Sequence, residues 1–215
     1  MLEHLLDKHT GAIPFPSDKT LNTERKHYMS SHSSRSMRGD SVTKNRRNIR
    51  FIVISGVISA LYIVLTLPMA QLAFGPIQLR LAEVLTVLPA FGTVGIPGVT
   101  IGCFLSNLLN PGALGPIDIL GSTCATLISA LLSRFLGKYN KYLGVVPPIV
   151  INGIIVGGYL PFIIYEAGTK VTPVAVLISM LSVAASEAVI LIILGIPLIA
   201  VINRNRKLNE KLKDF

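Results

Sequence analysis

Four ionisable side chains stand where an apolar sequence rarely holds them. Arg80, Glu83, Asp118 and Glu187 lie within or beside long hydrophobic runs, and the amides Asn107, Asn110 and Asn152 share those runs. A charge at the centre of a bilayer costs about 2.5–3.5 kcal/mol on insertion scales, so each is a candidate binding residue. Arg80 and Glu83 are three residues apart and share one helix face. Asp118 follows Gly115-Pro116-Ile117, a conventional helix start, where an acid in the first turn is favoured by the helix dipole. A capping role therefore competes with a binding one. Glu187 has Ala184, Ala185 and Ala188 around it and no local cation, which points it into a bundle interior. A buried carboxyl kept neutral, or paired with Arg80, is its structural alternative. Interhelical hydrogen bonding is the alternative for the amides. Carboxylates beside amides in an apolar cup suit a small planar solute with ring N–H donors and carbonyl acceptors.

Other chemistries lack their residues. The two cysteines, Cys103 and Cys124, lie in apolar runs, and all four histidines (His4, His9, His27 and His32) precede residue 33. Neither a zinc constellation nor a Ser-His triad is available to the apolar region. Neither phosphate-cradling glycine pattern, G-x-x-x-x-G-K-[ST] or G-x-G-x-x-G, occurs. The expectation is a protein that is not an enzyme and that carries no cofactor and no metal. If it accumulates a solute, another subunit or an ion gradient must supply the energy.

The elements that position these residues follow from hydropathy. The 215 residues are 51% hydrophobic and 14% charged, with a mean hydropathy of +0.61, against about 25% charged in soluble domains. Residues 1–50 hold 15 of the 31 charged side chains, while residues 51–203 hold nine. Residues 1–50 read as a polar basic leader without a core-forming pattern, residues 51–203 as a transmembrane domain, and 204–215 as a basic tail. Met29 and Met37 are alternative starts, and residues 1–36 are expected to be dispensable for ligand binding. A span needs about 20 residues. The runs 51–72, 116–135, 145–165 and 173–202 meet that length. Residues 79–110 are interrupted at Gly92, Gly95, Pro97 and Gly98 and read as two short helices, 79–92 and 96–110. The expected fold is therefore all-α, a six-helix bundle in the cell membrane.

Charge sets its orientation. Arg46, Arg47 and Arg50 precede the first span, and Arg204, Arg206 and Lys207 follow the last. Basic flanks stay cytoplasmic, so both termini are inside and the number of spans is even. Six spans then put Arg134, Lys138 and Lys141 in a cytoplasmic loop, as the rule requires. The net charge of +9 is explained by these flanks facing anionic lipid, with no nucleic-acid partner. Arg80, Glu83, Asn107, Asn110 and Asp118 all map to the extracytoplasmic half.

Small residues recur at four-residue spacing: Gly56 and Ala60 beside Ser55 and Ser59, Gly98 and Gly102, Gly153 and Gly157. Such spacing allows close helix approach. Internal packing is expected for the later pairs, and the Gly56–Ala60 face is the one offered to a partner. Gly195-Ile196-Pro197 is expected to kink the last helix.

The run Gln78-Leu-Arg80-Leu-Ala-Glu83-Val-Leu-Thr-Val-Leu-Pro89, with Ile96-Pro-Gly98, Ile101-Gly-Cys103 and Gly115-Pro-Ile-Asp118, resembles the QueT family. Pro147-Pro148, Asn152-Gly-Ile-Ile-Val-Gly157 and Leu194-Gly-Ile-Pro197 extend the resemblance across residues 51–202. That family comprises substrate-binding (S) components of energy-coupling factor transporters, associated with queuosine precursors. The resemblance implies six helices that capture a vitamin-like solute near the outer face. It also implies docking on a membrane coupling subunit through a small-residue face of the first helix, with two ATPase subunits driving the cycle. Gly56 and Ala60 match that face, with glycine in place of one usual alanine. The implied cargo is 7-aminomethyl- or 7-cyano-7-deazaguanine, or queuine. Arg80, Glu83, Asn107, Asp118, Asn152 and Glu187 are its candidate contacts. A stand-alone secondary transporter, using Glu187 as a proton relay, is the competing reading.

Overall fold

In a computed structural model of the chain, residues 25–26, 45–69, 80–110, 114–164 and 170–213 are described. The chain divides into two compact units, Met1–Asn48 and Ile49–Phe215. Of the first, only 25–26 and 45–48 are described, and they are helical. The rest of the leader lies outside the described residues.

Every element among the described residues is helical. Helix α1 runs from Asn45 to Thr66. It starts six residues before the expected apolar boundary, because Asn45, Arg46, Arg47 and Arg50 extend the helix without needing to be buried. Leu67–Met69 tightens into a 3₁₀ turn at Pro68. A 3₁₀ helix spans Leu81–Ala90, α2 Gly95–Leu109 and α3 Pro116–Leu136. After a 3₁₀ turn at Lys141–Val145, α4 spans Val146–Ile164. Helix α5, Pro173–Ile190, continues through a π-helical turn, Leu191–Gly195, into α6, Ile196–Arg204. A short amphipathic helix, α7, covers Arg206–Lys213.

Four of these are long and apolar enough to cross a membrane: Asn45–Thr66, Pro116–Leu136, Lys141–Ile164 and Pro173–Arg204. Leu81–Ala90 and Gly95–Leu109 are apolar but shorter, as the glycine and proline interruptions predict. The first of the two compensates by its winding. A 3₁₀ helix rises about 2.0 Å per residue against about 1.5 Å in an α-helix, so ten residues reach about 20 Å. Pro89 lies inside it, where its ring would crowd the carbonyl four residues back in an α-helix. Three residues per turn also stack Arg80, Glu83 and Thr86 in one row.

The polarity of the surface is that of a protein immersed in lipid. Ile52, Val64, Leu120, Phe162, Val174 and Ile193 are all more than half exposed, whereas Arg80, Glu83, Asn107, Asp118, Asn152 and Glu187 are buried. An apolar belt this extensive has no place on a water-soluble monomer.

Glycines set the closest approaches. A Cβ on Gly98 would fall 2.8 Å from the Ile58 side chain, and one on Gly102 2.6 Å from Tyr62, so α2 lies directly against α1. The pairing runs in parallel: Ser55 Oγ donates to the Val94 carbonyl at 3.1 Å and Ser59 Oγ to the Gly98 carbonyl at 2.7 Å. Between α4 and α5 the order is antiparallel, with Gly153 on Ala184 and Gly157 on Met180. These glycines serve internal packing, as their spacing predicts. At the opposite end of the molecule from Arg80, Gly92 meets the backbone of Leu212, and Gly137 and Gly144 close on Ala90. There Val87, Phe91, Val94, Leu191, Ile199, Ile202 and Leu212 form one apolar cluster.

Ahead of Pro197, where a kink is expected, the helix takes a π turn. Proline cannot donate to the carbonyl four residues back, and the helix widens just before it. The Ile196 N–H reaches the Leu191 carbonyl, five residues earlier.

Candidate solute-binding site

Arg80 precedes the 3₁₀ helix, Glu83 lies in its first turn, Asn152 and Val156 lie on α4, and Val183 and Glu187 lie on α5. These six side chains line one cavity. Each reaches it for a local reason. The row Arg80–Glu83 follows from the three-residue turn of the 3₁₀ helix. Asn152 and Val156 are one α-helical turn apart, as are Val183 and Glu187, so each pair shares a face. Gly153 and Gly157 let those two faces close together.

The polar groups are tied to one another. Tyr62 Oη, from α1, donates to Glu83 Oε1 at 2.7 Å. Asn152 Nδ2 donates to Glu187 Oε1 at 3.2 Å. Glu83 and Glu187 face the same cavity from the 3₁₀ helix and α5. Glu83 Oε2 is buried and receives no hydrogen bond. Thr86 Oγ1 turns back to the Glu83 carbonyl at 2.6 Å and so contributes no donor to the carboxylate.

Asp118 sits beside this cavity rather than on its lining. It lies in the first turn of α3, two residues after Pro116. Oδ1 accepts from Tyr159 Oη at 2.7 Å, and Oδ2 lies 3.7 Å from Arg80 Nη2. The helix-start reading holds, with Pro116 opening α3 and Asp118 in its first turn, and the same carboxylate is the counter-charge of Arg80. Gly115 makes this start possible, since its φ of 95° is a conformation that favours glycine. Gly121, one turn further on, leaves room for the Tyr159 ring, which would lie 2.7 Å from a Cβ there.

Asn107 belongs to a neighbouring network. Its Nδ2 donates to Ser122 Oγ at 2.5 Å and approaches Cys103 Sγ at 3.6 Å. Ser122 Oγ in turn donates to the Asp118 carbonyl, and Thr126 Oγ1 to Cys103 Sγ at 3.3 Å. This network joins α2 to α3 one layer behind the cavity. Asn110 is buried at the end of α2. Thus four of the six candidate contacts converge on the cavity, Asp118 adjoins it through Arg80, and Asn107 supports Asp118 through Ser122.

Two participants, Tyr62 and Tyr159, carry no charge and escape a search for ionisable residues in apolar runs. The signal that finds them is a phenol within a span, whose O–H must meet a partner when buried. Tyr62 is 1% exposed.

The cavity is small, about 10 Å³. That is room for about one water molecule, against about 300–1,000 Å³ in typical small-molecule sites. A bicyclic solute enters only if the helices lining the cavity, or their side chains, move apart.

A family profile described as QueT transporter matches residues 52–204, which includes every residue of this site. The chain belongs to the QueT transporter family. That family is described as one of transporters, and the apolar helices make this chain a multi-pass membrane protein. Within curated QueT relatives, a Lactococcus lactis subsp. cremoris (strain MG1363) protein named "Queuosine precursor transporter QueT" is 34% identical over 79 residues. The aligned stretch is 36% of this chain and 45% of that relative, so the chain spans less than half of that QueT protein's length. No solved structure matches.

Proposed function

We propose that this chain is the substrate-capturing S subunit of an energy-coupling factor transporter that imports a queuosine precursor of the 7-deazaguanine class. The observation that carries the reading is the convergence of Arg80, Glu83, Asn152 and Glu187, drawn from three separate elements, on one buried cavity. Carboxylates match the adjacent N–H donors of a guanine-like edge, and Arg80 and Asn152 match its carbonyl and ring acceptors. The named function of the Lactococcus relative supports the same cargo.

The chain crosses the membrane six times, with both termini in the cytoplasm. The direction of each element supports this. The parallel pairing of α1 with α2 leaves room for the 3₁₀ helix Leu81–Ala90 to return between them in the chain. The turn at Gly92, the basic loop bearing Lys138 and Lys141, and α7 meet at one end: Lys141 Nζ donates to the Ala90 carbonyl at 2.6 Å. Basic residues mark that end as cytoplasmic, which leaves Arg80, Asp118 and Tyr159 toward the outer face.

The partner surface is the exposed side of α1. Ser55 and Ser59 turn inward to α2, whereas Gly56 and Ala60 are exposed, and nothing lies within 4 Å of a Cβ placed on Gly56. A flat strip of small side chains there suits a transmembrane coupling subunit, which would link the chain to two ATPase subunits.

Mass spectrometry of small molecules released from the detergent-purified protein tests the cargo; a deazapurine is expected, and an unrelated solute overturns the assignment. Uptake in cells separates the two energy sources. Dependence on ATP fits an S subunit, and uptake that survives ATP depletion but collapses with a protonophore fits a stand-alone transporter.

A further inference from the structure

A cavity of about 10 Å³ must open before a solute enters it, and the two ends of the molecule differ in what opening would break. The inference rests on the cavity being the capture site proposed above. At the end bearing Lys141, backbones are in contact: Gly92 meets Leu212, and Gly137 and Gly144 close on Ala90. Val87, Phe91, Leu191 and Leu212 pack together there in one apolar cluster. Entry at that end requires whole elements to separate.

At the end bearing Arg80, side chains tie the elements together. Asn152, Val156 and Tyr159 follow one another at one-turn intervals on α4 and share a face. The first two line the cavity, and the Tyr159 ring packs on the apolar cluster that holds Val156 and Val183. Tyr159 is partly exposed, yet its Oη donates at 2.7 Å to Asp118, which is 0% exposed. The other oxygen of that carboxylate faces Arg80 at 3.7 Å. One phenol and one carboxylate thus join α4, α3 and the start of the 3₁₀ helix beside the cavity. The seat of the ring depends on Gly121, where a Cβ would lie 2.7 Å from Tyr159 Cε1.

We propose that Tyr159 is the latch of this site. The solute passes when the phenol leaves Asp118 and the ring turns off Gly121, and the site closes when the ring returns. A hydrogen bond to a carboxylate is roughly twice as strong as a neutral one, enough to favour the closed arrangement. Being one bond, it can break and re-form on the timescale of lid motion. The bond is present in the closed site whether empty or filled, and is absent only during passage. Removing it therefore lowers the barrier to entry and to exit by the same factor. Tyr159 acts on the rate of passage, and the lining residues act on affinity.

Association and dissociation rates of 7-aminomethyl-7-deazaguanine, measured by surface plasmon resonance on the full chain in nanodiscs, test this. Tyr159→Phe keeps the ring and loses the O–H. It is expected to raise both rates about tenfold and to leave the dissociation constant within about threefold of the parent. Gly121→Ala, which crowds the ring off its seat, should act in the same direction. Faster dissociation with unchanged association makes Tyr159 a contact that holds the solute, and overturns the latch. Unchanged rates in both variants also overturn it. A second readout needs no solute. With Cys103 and Cys124 replaced by serine, Val156→Cys places a thiol in the cavity wall. Its reaction with a water-soluble methanethiosulfonate should quicken about tenfold when Tyr159→Phe is added, and equal reaction rates overturn the latch. If the deazaguanine does not bind at all, the deazapurine reading falls, and the thiol rates alone decide the latch.

Discussion

Tyr62 Oη lies 2.7 Å from Glu83 Oε1, and the two residues are anchored on different elements, α1 and the 3₁₀ helix. The phenol holds one oxygen of the carboxylate and joins the site to the same helix whose outer side exposes Gly56 and Ala60. Removing the phenol O–H should leave the Glu83 oxygen buried without its donor, at a cost of about 1–3 kcal/mol. Tyr62→Phe is therefore expected to weaken solute binding about tenfold or more, as read by titration. Glu83→Gln should weaken it by more than about tenfold while the protein still extracts as a folded species. Unchanged affinity in both would remove this pair from the site.

Packing of α4 on α5 offers an internally controlled pair. A Cβ on Gly157 would sit 2.5 Å from the Met180 Cα, whereas one on Gly158 meets nothing within 4 Å. Gly157→Ala is expected to destabilise by about 1–3 kcal/mol, seen as a lower melting temperature in detergent. Gly158→Ala should melt close to the parent. Equal melting temperatures would mean that α4 and α5 do not approach as closely as described.

On the outer side of α1, Ala60→Trp is expected to leave solute binding within about twofold of the parent and to prevent copurification with the coupling subunit. A bulky ring there has open space within the subunit but none against a closely packed partner helix. Normal assembly would show that another face docks.

Deletion of residues 1–36 is expected to preserve solute affinity, since every residue lining the cavity lies between Arg80 and Glu187. A truncated protein that melts cooperatively yet has lost the solute would assign the leader a part in binding.

Much of this architecture was legible from composition and spacing. Hydropathy located the helices opening at 116 and 173 to within about two residues and the first span to within six, because a span of about 20 apolar residues has few alternatives in a bilayer. Glycine and proline between residues 89 and 98 marked the paired short helices. The same residues could not disclose that Leu81–Ala90 is wound as a 3₁₀ helix, since that depends on Pro89 and on neighbours that accept the tighter turn. The rarity of charge in apolar runs singled out Arg80, Glu83, Asp118 and Glu187, because each such residue is costly unless it is partnered.

Which of them share a cavity was decided only in three dimensions. Asp118 stands in the first turn of α3, as its spacing predicts, and only the packing shows that its carboxylate also meets Tyr159 and Arg80. Asn107 has the spacing of a site residue, yet it bonds to Ser122 on the next helix. Local sequence governs winding and the face on which a side chain emerges. Partners 21 to 41 residues away, such as Tyr62 for Glu83, Asn152 for Glu187 and Tyr159 for Asp118, are set by how helices pack, a long-range outcome of glycine contacts and side-chain shape.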